Sequence, residues 1–89
     1  MHVHYSARLT FSQNVRKARL AKGFSQEDLA EIADLHRNYV GGVERGERNI
    51  SVDNMEKLAI ALGTSIPALL QATSIQPKSS KGGKGGAKS

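Results

Sequence analysis

The chain has 89 residues, no cysteine and a formal net charge of +5. That length supports one small domain with a core of roughly a dozen side chains and leaves no room for an enzyme cleft on its own scaffold. The missing cysteines exclude disulfides and thiolate metal sites and fit a reducing cytoplasm, while the absence of a long apolar run or a cleavable signal argues against membrane and secretion. The charge itself is unevenly placed: Lys78, Lys81, Lys84 and Lys88 lie in an acid-free stretch, so residues 1 to 72 carry 9 basic against 8 acidic side chains and are nearly neutral.

Met1 to Arg8 carries too little pattern to assign, and His2 and His4 read as ordinary surface residues, not as metal ligands. Thr10 with Gln13 has the form of a capping box, and Phe11, Val15 and Ala18 or Arg19 then recur at helical spacing up to Gly23, which predicts a first helix. Ser25 with Asp28 three residues on starts a second, from about Gln26 to Ala33. There Leu29, Ile32 and Ala33 are expected to face inward and Glu27, Asp28 and Glu31 outward. Asp34, Leu35 and His36 break the rhythm. Val40 and Val43, three apart, then define a third helix from about Arg37 to Arg45, with Gly46 just past its end where a left-handed residue closes a helix. Ser51 opens a fourth, with Met55, Leu58, Ala59 and Leu62 on one face and Gly63 as its stop. Ser65, with Pro67 in the first turn, begins a short fifth helix carrying Ile66, Leu69 and Leu70. Five helices and no strand make the expected class all-α. Residues 73 to 89 are rich in Lys, Gly and Ser, a composition that cannot bury enough apolar surface to offset its ordering entropy, so a disordered basic tail is expected.

In order and spacing, Gln26, the small Ala30, the turn at Asp34, and Val40 and Val43 resemble the lambda repressor/Cro-like (XRE-type) helix-turn-helix family. The resemblance covers roughly residues 9 to 72 and implies a five-helix DNA-binding domain with its motif at 25 to 45. The phrase YVGGVERGERNIS, Tyr39 to Ser51, is similar to controller proteins of restriction-modification systems, which regulate their own operon and the endonuclease gene. In such a motif the first turn of the second helix reaches base edges in the major groove. Arg37 and Asn38 occupy that turn, and their chemistries suit bidentate contacts to guanine and adenine, each worth about 1 to 3 kcal/mol of discrimination. The family position of Gln26 implies a phosphate clamp or a base contact, and Ser25 at the same helix start is grouped with the backbone-binding residues. Arg45, Arg48 and Asn49 follow in a turn where long donors can grip backbone oxygens. For Tyr39 two readings stand: a half-buried ring with an exposed hydroxyl, or a ring laid against sugar and phosphate as the controller resemblance implies. The resemblance also implies that Arg19 pairs with Glu44 in a structural salt bridge.

Two departures stand out. Gly41 and Gly42 occupy the middle of the reading helix, where relatives often carry a DNA-contacting side chain; they cost about 1 kcal/mol each relative to alanine and suggest a bare backbone near the groove wall. Asp34 stands where glycine is common, and a left-handed conformation is one that Asp tolerates better than most residues.

One such domain covers too little groove for a regulator's specificity, so a homodimer on two half-sites of double-stranded DNA is expected, with Ile66, Leu69 and Leu70 as its apolar interface. No cofactor, metal or small-molecule substrate is implied: the three histidines stand at 2, 4 and 36, and the GGKGG run has no strand before it. The competing readings are a DNA-binding antitoxin and a helical interaction module without DNA. A toxin-binding segment usually carries apolar anchors, and 76 to 89 has almost none, which favours a cytoplasmic bacterial or phage regulator. The tail lysines either add non-specific DNA attraction or belong to a linker.

Overall fold

Serine opens four of the five helices. The computed structural model describes residues 6–72, and among them the order is α1 (Ala7–Ala21), α2 (Gln26–Ala33), α3 (Arg37–Glu44), α4 (Val52–Ala61) and α5 (Ile66–Leu69), with no strand. The expected tail from 73 to 89, with its lysines, and the opening segment with His2 and His4 lie outside the described residues. The hydroxyls of Ser6, Ser25, Ser51 and Ser65 each accept from the backbone N–H three residues on, at 3.2, 2.9, 3.1 and 3.2 Å. A cap of this kind stabilises by about 1 kcal/mol. At Ser25 the box is reciprocal, because its own N–H donates to Asp28 Oδ2 at 2.9 Å. The helix stops are equally local: Asp34, the residue closing α2, is left-handed at φ 59°.

The start of α1 corrects the expectation at Thr10. Ser6 is the cap, and Thr10 lies inside the helix with its N–H donating to Ser6 O at 2.9 Å. Ser6 caps without an acidic partner three residues on, so it lacks the paired signature that Thr10 and Gln13 happen to show.

The core is drawn from every helix: Phe11 and Val15 of α1, Leu29, Ala30 and Ala33 of α2, Val40 and Val43 of α3, Leu58, Ala59 and Leu62 of α4 and its cap, and Leu69 of α5. Fully burying a side chain of the Val, Leu or Phe size stabilises by about 1.5 to 3 kcal/mol. α2 packs between α3 and α4, whereas α1 lies on α3 and α5. That placement corrects a second expectation, since Ile32 is 53% exposed. At 100° per residue, Leu29, Ala30 and Ala33 form one arc, and Ile32 projects about 110° from its middle. A third correction concerns α5: Leu69, expected at a dimer surface, is 3% exposed and fills this chain's own core, leaving Ile66 and Leu70 half-buried beside it.

Three buried residues are polar, namely Ser12, Asn14 and Arg19, all on α1. Ser12 Oγ donates to Arg8 O at 2.8 Å, and Asn14 Nδ2 donates to Leu69 O at 2.8 Å and to Gln71 O at 3.0 Å. Asn14 thereby serves carbonyls that the end of α5 would otherwise leave unpaired. No helix among the described residues is long and apolar enough to cross a membrane.

Candidate nucleic-acid interface

The turn between α2 and α3 is held by Leu35 N–H, which donates to Ala30 O at 2.8 Å, directly after left-handed Asp34. Ala30 itself is 3% exposed, and no larger side chain would fit where the two helices cross. This geometry fixes the direction in which α3 leaves the turn. Val40 and Val43 seat it on the core, and Arg37 and Asn38 in its first turn are exposed. The cap of α3, His36, makes no side-chain hydrogen bond.

Residues four apart share a helix face, so Arg37, Gly41 and Arg45 form one row and Asn38 and Gly42 the next. Gln26, at the start of α2, reaches the first row: its Oε1 lies 3.4 Å from where a Gly41 Cβ would stand, and Arg45 Nη1 lies 3.2 Å from that same point. Arg37, Arg45 and Gln26 thus line one side of the motif.

Beneath this row is a charged network. Arg19 Nε donates to Glu44 Oε2 at 2.6 Å and Nη2 to Oε1 at 3.0 Å, with side-chain exposures of 9% and 2%. Arg19 Nη1 also donates to Phe24 O at 2.8 Å. The hydrogen bond to Glu44 raises the guanidinium above its ordinary value, against the opposing effect of burial. Glu44 Oε1 then accepts from Gln26 Nε2 at 3.0 Å. The carboxylate therefore does two things: it closes α1 onto α3, and it orients the Gln26 amide so that Oε1 and one N–H remain available.

On the second row, Arg48 lies across the helix. Its Cγ and Nε are both 2.9 Å from the position of a Gly42 Cβ, and its guanidinium carbon is 5.5 Å from the centre of the Tyr39 ring. Tyr39 is half-buried and its hydroxyl accepts from Asn54 Nδ2 at 3.1 Å. Gly41 and Gly42 are consequently not bare, as the sequence suggested. Both are buried, because side chains from α2 and from the turn after α3 occupy the space their own Cβ atoms would take.

Arg45 Nε meets Glu47 Oε1 at 3.1 Å, but both side chains are 61% exposed, so solvent screens the pair and Arg45 can exchange partners easily. Ser25 has both its N–H and its hydroxyl oxygen engaged with Asp28, which leaves the hydroxyl hydrogen to donate. Asn49 Oδ1 accepts from Arg8 Nη1 at 2.9 Å. Arg8 is thus a cation beside the α3–α4 turn that sequence reasoning missed, 41 residues away in the chain. Glu27, Asp28 and Glu31 are exposed along α2, so the acids lie on one helix and the arginines gather around the next. Among the described residues no group of His, Cys, Asp or Glu could hold a metal ion.

Residues 15–69 match the family described as helix-turn-helix, and the chain belongs to that family. Over 69 residues it is 52% identical to the control protein C.BamHI of Bacillus amyloliquefaciens, spanning 76% of this chain and 85% of that one. The crystal structure of the restriction-modification controller protein C.AhdI from Aeromonas hydrophila is similar at TM-score 0.69 and 51% identity, covering 73% of this chain and 98% of that protein. A further restriction-modification controller, C.Esp1396I, seen as a tetramer with its natural 35 base-pair operator, is similar at TM-score 0.67 and 33% identity, over 74% and 87% of the two chains.

Proposed function

We propose that this chain is a sequence-specific DNA-binding transcription regulator that acts as a homodimer on a two-half-site operator in the bacterial cytoplasm and governs a restriction-modification operon. One observation carries the reading: the first turn of α3 presents Arg37 and Asn38 to solvent on a helix whose opposite face is locked into the core, in a chain 52% identical to a restriction-modification control protein. Arg37 and Asn38 read bases, each contact discriminating by about 1 to 3 kcal/mol. Gln26, tethered by Glu44, retains an acceptor and a donor side by side, the pattern that pairs with the edge of adenine. Ser25, Tyr39, Arg45, Arg48 and Asn49 hold the phosphate backbone, with Arg8 adding its charge beside Asn49. Because Gly41 and Gly42 offer no side chains, each half-site has few base readers, and sequence-dependent DNA shape takes a correspondingly larger part.

The dimer surface lies on α5 and the adjoining face of α4. Ile66 and Leu70 remain from the sequence expectation, and Ile60, 71% exposed, borders the same groove as Ile66 and Pro67. An apolar patch of this kind beside a small core favours self-association.

Selection of bound duplexes from a random pool tests the assignment. Arg37→Ala is expected to relax preference at one position per half-site, while Arg45→Ala weakens all sequences alike and lowers the salt dependence. Equal loss of preference in both variants would overturn the division between base reading and backbone binding.

A further inference from the structure

Gly42 lies in the middle of α3 with ordinary helical backbone, so nothing in its conformation calls for glycine. What calls for it is a neighbour. A Cβ built at Gly42 would stand 2.9 Å from both Cγ and Nε of Arg48 and 3.4 Å from its Cδ, the first two inside the closest approach of real side chains. The contact runs along the middle of the arginine, not at its free tip, so rotation of the guanidinium alone cannot relieve it. Beyond this crossing point, the same side chain places its guanidinium carbon 5.5 Å from the Tyr39 ring centre. The ring is held in turn by Asn54 through its hydroxyl.

Gly41, next door, is a built-in comparison. A Cβ there would meet only the end of Arg45, Nη1 at 3.2 Å, and the amide of Gln26, Oε1 at 3.4 Å. Those are terminal atoms of long side chains, and a few tenths of an ångström of movement accommodates them. The two glycines therefore differ in what they do, although they are adjacent and both buried.

We propose that Gly42 is a positioning residue: its missing Cβ is the seat across which the Arg48 stem lies, and this seat delivers the guanidinium to the Tyr39 ring as a preformed cation-aromatic unit for the DNA backbone. A free arginine of this length samples many rotamers and loses that freedom on binding. Held across α3 against an aromatic face, it meets a phosphate with most of that cost already met. The cation comes from the turn after the helix, and the helix contributes the space. The inference deepens the DNA-binding reading above and rests on it for its functional consequence.

The test compares Gly42→Ala, Gly41→Ala, Arg48→Ala and the double variant Gly42→Ala with Arg48→Ala in the full chain. Alanine is the better helix former, so both glycine variants are expected to melt no lower than the parent, which separates positioning from folding. In solution NMR, contacts between the Arg48 side chain and the Tyr39 ring are expected in the parent and in Gly41→Ala, and absent in Gly42→Ala. In titrations with the selected operator duplex over a range of salt, Gly42→Ala is expected to bind several-fold more weakly, with the log–log salt slope reduced by about 0.9, the value for one lost phosphate contact. Arg48→Ala should match it, and the double variant should be no weaker than Arg48→Ala alone. Persistence of the Arg48–Tyr39 contacts in Gly42→Ala, an equal loss in Gly41→Ala, or losses that multiply in the double variant would overturn the proposal. A parent that binds no duplex, yet shows the contact pattern changing as described, would instead overturn the DNA-binding reading while the seat itself stands.

Discussion

Glu44 is the residue on which the reading surface depends most. Its side chain is 2% exposed and accepts from Arg19 twice and from Gln26 once, so removing Arg19 leaves a buried carboxylate without its main partner. Arg19→Ala is expected to destabilise the fold by about 3 to 5 kcal/mol, seen as a drop of well over 10 °C in Tm, since about 1 kcal/mol moves a domain of this size by 4 to 8 °C. Replacing the pair together, Arg19→Met with Glu44→Leu, is expected to recover much of that stability, less the bond to the Phe24 carbonyl, while operator affinity stays low because Gln26 has lost its tether. Thermal melts and binding titrations on the same samples check both halves, and a double variant that regained affinity along with stability would show that the tether is idle. The guanidinium pKa is raised by the hydrogen bond to Glu44, so its contribution is complete below the ordinary arginine value and is lost only above the raised one. Across the working pH range this cation therefore adds no pH dependence. The sequence made the pair expected through family resemblance, but nothing in it pointed to Gln26 as the third member. Glu44 follows Gln26 by 18 residues, and only the folded crossing of α2 and α3 brings them together.

Helix ends, and the way they are encoded, explain what was readable at the level of elements. Caps and stops act within four residues, so Ser25 with Asp28, Asp34, Gly46, Ser51, Gly63 and Ser65 all mark boundaries that the fold contains. The start of α1 was misplaced because Ser6 caps without an acid three residues on, while Thr10 and Gln13 imitate a box in the helix interior. Ser6→Ala is accordingly expected to cost about 1 kcal/mol in chemical denaturation, and Thr10→Ala to cost clearly less; the reverse order would move the start of α1 back to Thr10. Polar residues on buried faces escaped for a different reason. A periodicity reading counts apolar side chains, so Asn14 on the inner face of α1 resembles a wet position until its acceptors, 55 and 57 residues away, are in place. Ile32 is the converse case, apolar yet 53% exposed, because α2 is wedged between two helices and its buried arc turns toward Ala30.

At the scale of the whole molecule, the question is how one small domain gains enough contact to select a site. Burial settles part of it: Leu69 belongs to the core, so association through α5 uses Ile66, Leu70 and the neighbouring Ile60. Ile60→Glu is expected to leave the fold intact, since the side chain is 71% exposed, and to shift the sedimentation profile toward monomer, with a steep loss of affinity for a two-site operator but little for a single half-site. An unchanged profile at micromolar concentration would place the dimer surface elsewhere. The sequence could name the right helix and not the right side chains, because on a helix of four residues one position of rotation separates core from surface.

Asn14 and Arg19 stand five residues apart on α1, one clasping the end of α5 and the other clasping α3. At about 1.5 Å of rise per residue, this makes a short rigid strut between the place where two copies would join and the place where each would touch its duplex. The separation of the two reading heads is then set by a girder of packed helix and not by a hinge. A regulator framed in this way measures the gap between its half-sites as strictly as it reads the letters within them.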